Sequence, residues 1–247
     1  MGEKILSDKV ALVTGGSRGI GAASARRLAA LGADVVITYV AQAAKAKTVV
    51  EELRSLGVRA EGIQADQADR AQVTAMVDAV AQRFGGIDIL VNSAGVFRPG
   101  ELTDAGRDEQ VAINLTGVAD TTYRAVRHMR EGGRIVNLSS SLASKTFAAG
   151  MSDYAATKAA VTAYTRGWAQ DFAARGINVN VIECGIIDTD MAMSKDSEGG
   201  QFMLQAVIPM HRYAEADEVA GVVAFLAGPD AAYITGSTVR VDGGALA

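Results

Sequence analysis

Residues 10–22 read Val-Ala-Leu-Val-Thr-Gly-Gly-Ser-Arg-Gly-Ile-Gly-Ala: an apolar run, a glycine-rich turn, then a helical pattern that continues to about residue 31. Strand, turn and helix in that order are the context in which such glycines point to a phosphate-binding loop. Glycine at 15 and 19 permits a tight turn and a close backbone approach, and Gly21 lets helix and strand pack closely. A pyrophosphate then meets exposed N–H groups and the positive end of the helix dipole. Gly15, Ser17, Arg18, Gly19, Ile20 and Gly21 are the expected cofactor-binding residues of this turn. The same letters, Gly15-x-Ser17-x-Gly19, also satisfy the nucleophile elbow of a serine hydrolase. That elbow would sit on the first strand, before most of the sheet exists, and His128 and His211 are the chain's two histidines. Dinucleotide binding is the preferred reading.

Working outward, short runs rich in Val and Ile alternate with amphipathic stretches, which is the pattern of repeated βαβ units. Strands are expected at 10–14, 35–39, 60–64, 87–92, 134–138, 178–182 and 238–241. Helices are expected at 20–31, 43–56, 71–84, 111–130, 153–175 and 218–226. The fold class is therefore α/β, a doubly wound, Rossmann-type parallel sheet of seven strands. No Pro/Ser-rich linker or charge block divides the 247 residues, so a single domain spanning 1–247 is expected. Residues 188–212 fit neither period and are rich in Met, Ser, Asp and Gly; they read as a substrate lid.

Twenty-four Lys+Arg against 28 Asp+Glu give a net charge of −4 with no basic stripe, which argues against nucleic acid as a partner. The start, Met1 to Asp8, lacks the apolar core of a secretory signal, and no apolar run is long enough to span a membrane. A cytoplasmic location is expected. One Cys, Cys184, and two His supply no metal spacing, so no metal is expected and Cys184 reads as a buried structural thiol.

Thr14-Gly-x-x-x-Gly-x-Gly21, Asp66, Asn92-Ser93-Ala94-Gly95, Asn114, Ser140, Tyr154-Ala-Ala-Thr-Lys158, Gly185 with Thr189, and Thr235-Gly236 before Val241-Asp-Gly-Gly244 occur in this order. Together they resemble the short-chain dehydrogenases/reductases over essentially the whole chain, most nearly ketoreductases of the 3-oxoacyl-carrier-protein type. The resemblance implies hydride transfer between a nicotinamide and a ketone or secondary alcohol, with a small carbonyl or alcohol compound as the substrate. It implies Ser140 as donor to the substrate oxygen, and Asn114 as holder of a water that links Lys158 to solvent. Asp66 would cap the adenine amino group, Asn92 would belong to the cofactor site, Ala94 and Gly95 would leave room beside the adenine ribose, and Thr189 beyond Gly185 would bind the carboxamide. Cys184 stands where the family has Pro.

Two readings come from the residues themselves. Tyr154 and Lys158, four apart on one helix, share a face one turn apart. An ammonium about 5 Å from a phenol should lower its pKa by roughly two units, making Tyr154 a usable acid/base and leaving Lys158 free to hold the nicotinamide ribose. The second strand ends at Tyr39 with no acid to bind ribose hydroxyls, while Arg18 could reach a 2′-phosphate. NADP(H) is therefore expected ahead of NAD(H). The complete Ser140, Tyr154, Lys158 and Asn114 set argues against a non-catalytic dinucleotide-binding regulator, the alternative on the same fold. Finally, Ala155, Ala159, Val161, Ala163, Tyr164, Trp168 and Phe172 give the helix at 153–175 more apolar surface than one sheet contact needs. Family resemblance extends this to a homotetramer.

Overall fold

The computed structural model describes residues 4–100 and 103–247; Met1-Gly2-Glu3, part of the leader reading, lies outside the described residues. Seven strands form one sheet: β1 (Val10–Val13), β2 (Asp34–Tyr39), β3 (Ala60–Gln64), β4 (Ile87–Asn92), β5 (Met129–Ser140), β6 (Asn178–Cys184) and β7 (Thr238–Val241). Their order is β3-β2-β1-β4-β5-β6-β7 and every pairing is parallel. The order reverses between β1 and β4, and open parallel sheets bind ligands at such a switch point, beyond the strand C-termini.

Among the described residues there are eight α-helices: α1 (Gly19–Ala30), α2 (Ala43–Ser55), α3 (Arg70–Phe84), α4 (Asp104–Val111), α5 (Gly117–His128), α6 (Ser152–Phe172), α7 (Glu198–Phe202) and α8 (Ala216–Ala227). Alternation along each strand sorts the core into two layers. Ala11 and Val13 of β1 face Leu28 of α1, Leu53 of α2 and Val223 of α8. Val10 and Leu12 face Val77 of α3, Val126 of α5 and Trp168 of α6. Both faces being covered, β1 is apolar throughout, and polar residues such as Asn92 of β4 and Asn137 of β5 are buried.

Two expected elements change. The helix expected at 111–130 begins instead at Asp104, because Thr103 caps it by accepting from Gly106 N at 3.1 Å. It is interrupted by a π turn at Ala112–Thr116 before running on as α5. It ends at His128, and β5 starts at Met129 rather than 134, entering the sheet through an irregularity opposite Ile87 and Ile89. The stretch 188–212 is less irregular than expected: α7 continues into a π turn at Met203–Val207. Met203, Ile208 and Tyr213 form a small apolar cluster there with Phe147 and Ile186. Among the described residues no helix is long and apolar enough to cross a membrane.

Candidate functional site

A cleft of ≈ 450 Å³ opens at the C-terminal ends of β1, β2, β4, β5 and β6, over the switch point. Its floor at the nucleotide end is the first turn. Gly15 has φ +67, and a Cβ there would lie 2.9 Å from Ala94 Cα. A Cβ on Gly21 would lie 2.4 Å from Gly15 O, so only glycine lets the helix begin so close to the strand. Thr14 Oγ1 accepts from Ser93 N and Ala94 N at 3.0 and 3.1 Å, tying this turn to the one after β4. Thr38 Oγ1 accepts from Gly15 N at 3.1 Å. The N-cap of α1, Arg18, makes no side-chain cap bond, and no acid occupies the first turn. The uncapped helix end therefore offers its N–H groups to an anion, which fits a dinucleotide pyrophosphate.

Gly15, Ser17, Arg18, Gly19, Ile20, Gly21, Tyr39, Asp66, Ala94, Gly95, Ser140, Tyr154, Lys158, Gly185 and Thr189 all line this one cleft. Two expected site residues do not reach it. Asn92 is buried behind the wall, donating from Nδ2 to Asn137 Oδ1 at 2.8 Å and to Thr122 Oγ1 at 3.0 Å. Strand alternation aims it under α5 and away from a ribose. Asn114 is fully buried in the π turn, and its amide bonds to Val96 at both ends and to Thr157 Oγ1 at 3.4 Å. Its Oδ1 accepts from Val96 N and its Nδ2 donates to Val96 O, both at 2.8 Å. This side chain clamps the loop after β4, and its Oδ1 and Lys158 Nζ flank the same point beside Gly95, 3.3 and 3.5 Å from where a Cβ there would lie.

At the other end of the cleft, Ser140 ends β5 and Tyr154 and Lys158 face it from α6. Ser139 also borders the cleft, but its hydroxyl donates to Lys158 O at 3.0 Å, whereas the Ser140 hydroxyl meets that of Tyr154. Lys158 Nζ donates to Leu138 O at 3.0 Å and lies 5.6 Å from the Tyr154 ring centre. The expected depression of the Tyr154 pKa is not found. Loss of water pushes the phenol up, the Cys184 thiol adds to this, and only the Ser140 hydroxyl acts downward. The ammonium pays the same toll: burial brings Lys158 down to about 8, against a smaller upward pull from Cys184. Desolvation outweighs an attraction acting over that distance. Cys184 is buried, and its thiol is pushed up to about 12 by burial. It is unreactive as a nucleophile in that state.

The residue reading missed Phe97, whose ring lies 4.7 Å from that of Tyr154, tilted by 58°. It also missed Asp190, which pairs with Arg18 at 3.2 Å. Neither has a local signal; each meets its partner only through the fold. Among the described residues no three His, Cys, Asp or Glu side chains cluster as a metal site.

A family model described as enoyl-(acyl carrier protein) reductase matches residues 15–245. The 3-oxoacyl-[acyl-carrier-protein] reductase of Staphylococcus aureus is 40% identical over 241 residues, 96% of this chain and 97% of that protein. A short-chain dehydrogenase from Burkholderia cenocepacia, solved in complex with NADP, superposes with a TM-score of 0.95 at 48% identity, covering 98% of this chain and 100% of that one. A blue fluorescent protein from a metagenomic library, solved with NADPH, gives 0.95 at 46% identity, covering 98% and 100%. With motifs, sheet order and relatives in agreement, the chain belongs to the short-chain dehydrogenase/reductase family.

Proposed function

We propose that this chain is an NADP(H)-dependent oxidoreductase that interconverts a ketone and a secondary alcohol, with Tyr154 as the proton donor and acceptor. The observation that carries this is the meeting of the Ser140 and Tyr154 hydroxyls at one end of a cleft whose other end is an uncapped glycine-rich helix start. Relatives solved with NADP and NADPH support the cofactor, as do Arg18 and the absence of an acid at Tyr39. When bound, NADPH supplies the hydride.

Chain residues supply the rest. Ser140 and Tyr154 donate to the substrate carbonyl oxygen and stabilise the negative charge that develops on it. A phenol pushed up by burial stays protonated at neutral pH, which is the form that reduction needs. As its proton passes to the alkoxide, the Lys158 ammonium stabilises the phenolate left behind. Phe97 covers the flank of the Tyr154 ring and keeps water from that proton. Asn114 positions the Val96 backbone and so holds Phe97's neighbour in place. Residues 188–212 close over the substrate, with Met191, Met193 and Met203 giving the cleft an adaptable apolar wall.

A 3-oxoacyl thioester heads the substrate candidates, on the name of the S. aureus relative. The description of the matching family model favours a second reading, reduction of an enoyl thioester. Two hydroxyl donors converging on one oxygen suit a carbonyl better than a carbon–carbon double bond. Assembly as a homotetramer and a cytoplasmic setting, where small carbonyl substrates and NADPH are at hand, complete the reading. Following NADPH consumption with 3-oxoacyl thioesters, cyclic ketones and enoyl thioesters tests it. Turnover of the oxo compounds is expected; turnover of the enoyl compounds alone would overturn the ketone assignment.

A further inference from the structure

The nucleotide end of the cleft and the segment after β6 meet at one carboxylate. Asp190 Oδ2 accepts from Arg18 Nη1 and from Lys45 Nζ, each at 3.2 Å. These two cations hold the Asp190 carboxyl below its ordinary range, Lys45 more strongly than Arg18. Arg18 is the N-cap of α1, Lys45 lies in the first turn of α2, and Asp190 follows Thr189 on the cleft wall. One carboxylate against two cations leaves a unit of positive charge unmatched. A phosphate monoester, close to a dianion at neutral pH, matches both.

Lys45 is badly placed for its helix. A cation in the first turn opposes the helix dipole, α2 has no acid there, and Gln42 gives no side-chain cap. An anion at this spot removes both disadvantages at once. Tyr39, at the end of β2, brings no negative charge to compete with it. All three charged groups are about half exposed, and exposed ion pairs of this kind hold weakly, so the carboxylate is displaceable.

We propose that Lys45 is a second cation for the 2′-phosphate of NADP(H), beside Arg18, and that Asp190 holds the pair until that phosphate displaces it. The proposal rests on the NADP(H) reading above. It makes cofactor loading a release of the segment that carries Thr189 and Met191.

Calorimetric titration with adenosine 2′,5′-bisphosphate and with 5′-AMP isolates the phosphate from the rest of the cofactor. Lys45→Met should weaken the bisphosphate by about tenfold while leaving 5′-AMP little changed. Asp190→Asn should tighten the bisphosphate by about threefold relative to 5′-AMP, because its competitor is gone. Lys47→Met, a cation lost from the same helix, should leave the ratio of the two affinities as it is in the wild type. Equal losses for both probes in Lys45→Met, an unchanged ratio in Asp190→Asn, or a Lys47→Met effect matching that of Lys45→Met would each overturn the proposal. A wild-type chain that binds both probes equally would overturn the NADP(H) reading itself, which keeps the two failures apart.

Discussion

Lys158 is a charged side chain buried beside a phenol and a thiol, and loss of water brings its pKa down to about 8. Below about pH 8 the folded and unfolded chains both hold this proton, and the penalty of burying the charge is fully present. Between about 8 and the ordinary 10.5 only the unfolded chain keeps it, so this group makes stability rise with pH. Lys158→Met should therefore stabilise the fold at pH 7 by up to roughly 3 kcal/mol, a gain that fades toward pH 10.5, while turnover collapses. Denaturant unfolding at pH 7 and pH 10 reads it, and a variant less stable than wild type at pH 7 would mean that the bond to Leu138 O outweighs the charge. Tyr154→Phe should lower turnover by about 100-fold or more and leave NADPH affinity nearly intact, since the lost group is a hydroxyl at the far end of the cleft. Unchanged turnover with any accepted ketone would refute its role. Tyr154, Lys158 and the first-turn glycines were legible because their chemistry is local: a one-turn helix spacing and a strand–turn–helix. The pKa of Tyr154 was not, because burial is a property of everything around it and outweighs a lysine one turn away.

The interruption of the α4–α5 helix matters more than its length. A π turn at Ala112–Thr116 drops Asn114 into a fully buried position where both polar ends of its amide meet Val96. Asn114→Ala leaves the part-buried N–H and C=O of Val96, and the buried Thr157 hydroxyl, without this partner, at up to about 1–3 kcal/mol each. Its unfolding free energy should fall by about 2–5 kcal/mol, and kcat should fall as Val96 and Phe97 lose their hold, with KM for NADPH less affected. Chemical denaturation alongside steady-state kinetics checks this, and a variant as stable as wild type would show that water replaces the amide. An Asn inside a helical pattern gives no hint of such a clamp in one dimension, so the break was invisible, as was the earlier start at Thr103. The seven strands and the doubly wound parallel sheet followed from the alternation of Val-rich runs with amphipathic stretches. The entry of β5 at Met129 did not, since Arg130 to Gly133 carry no strand pattern and fall in the irregularity between the Ile87–Met129 and Ile89–Arg134 pairs.

Across the whole molecule, α6 buries more than one face. Trp168 is only 1% exposed, yet it stacks on Tyr164 at 4.7 Å and meets the edge of Tyr123 at 5.7 Å, and both tyrosines open to solvent. A patch of this kind on α5 and α6 suits a twofold contact between copies. Light scattering after size-exclusion chromatography should give four times the mass of one chain, and Tyr123→Asp should shift it to a smaller species; a wild-type monomer at micromolar concentration would refute the assembly. Ala25 and Leu28 of the first helix share a core layer with Val219, Val223 and Leu226 of the last. A ribosome adding roughly 5–20 residues per second needs on the order of 10–40 s between them. For that interval the nascent N-terminal half carries an apolar helix face with no cover, so a chain whose translation stops before α8 is a client for chaperones and proteases, whatever the state of its cleft.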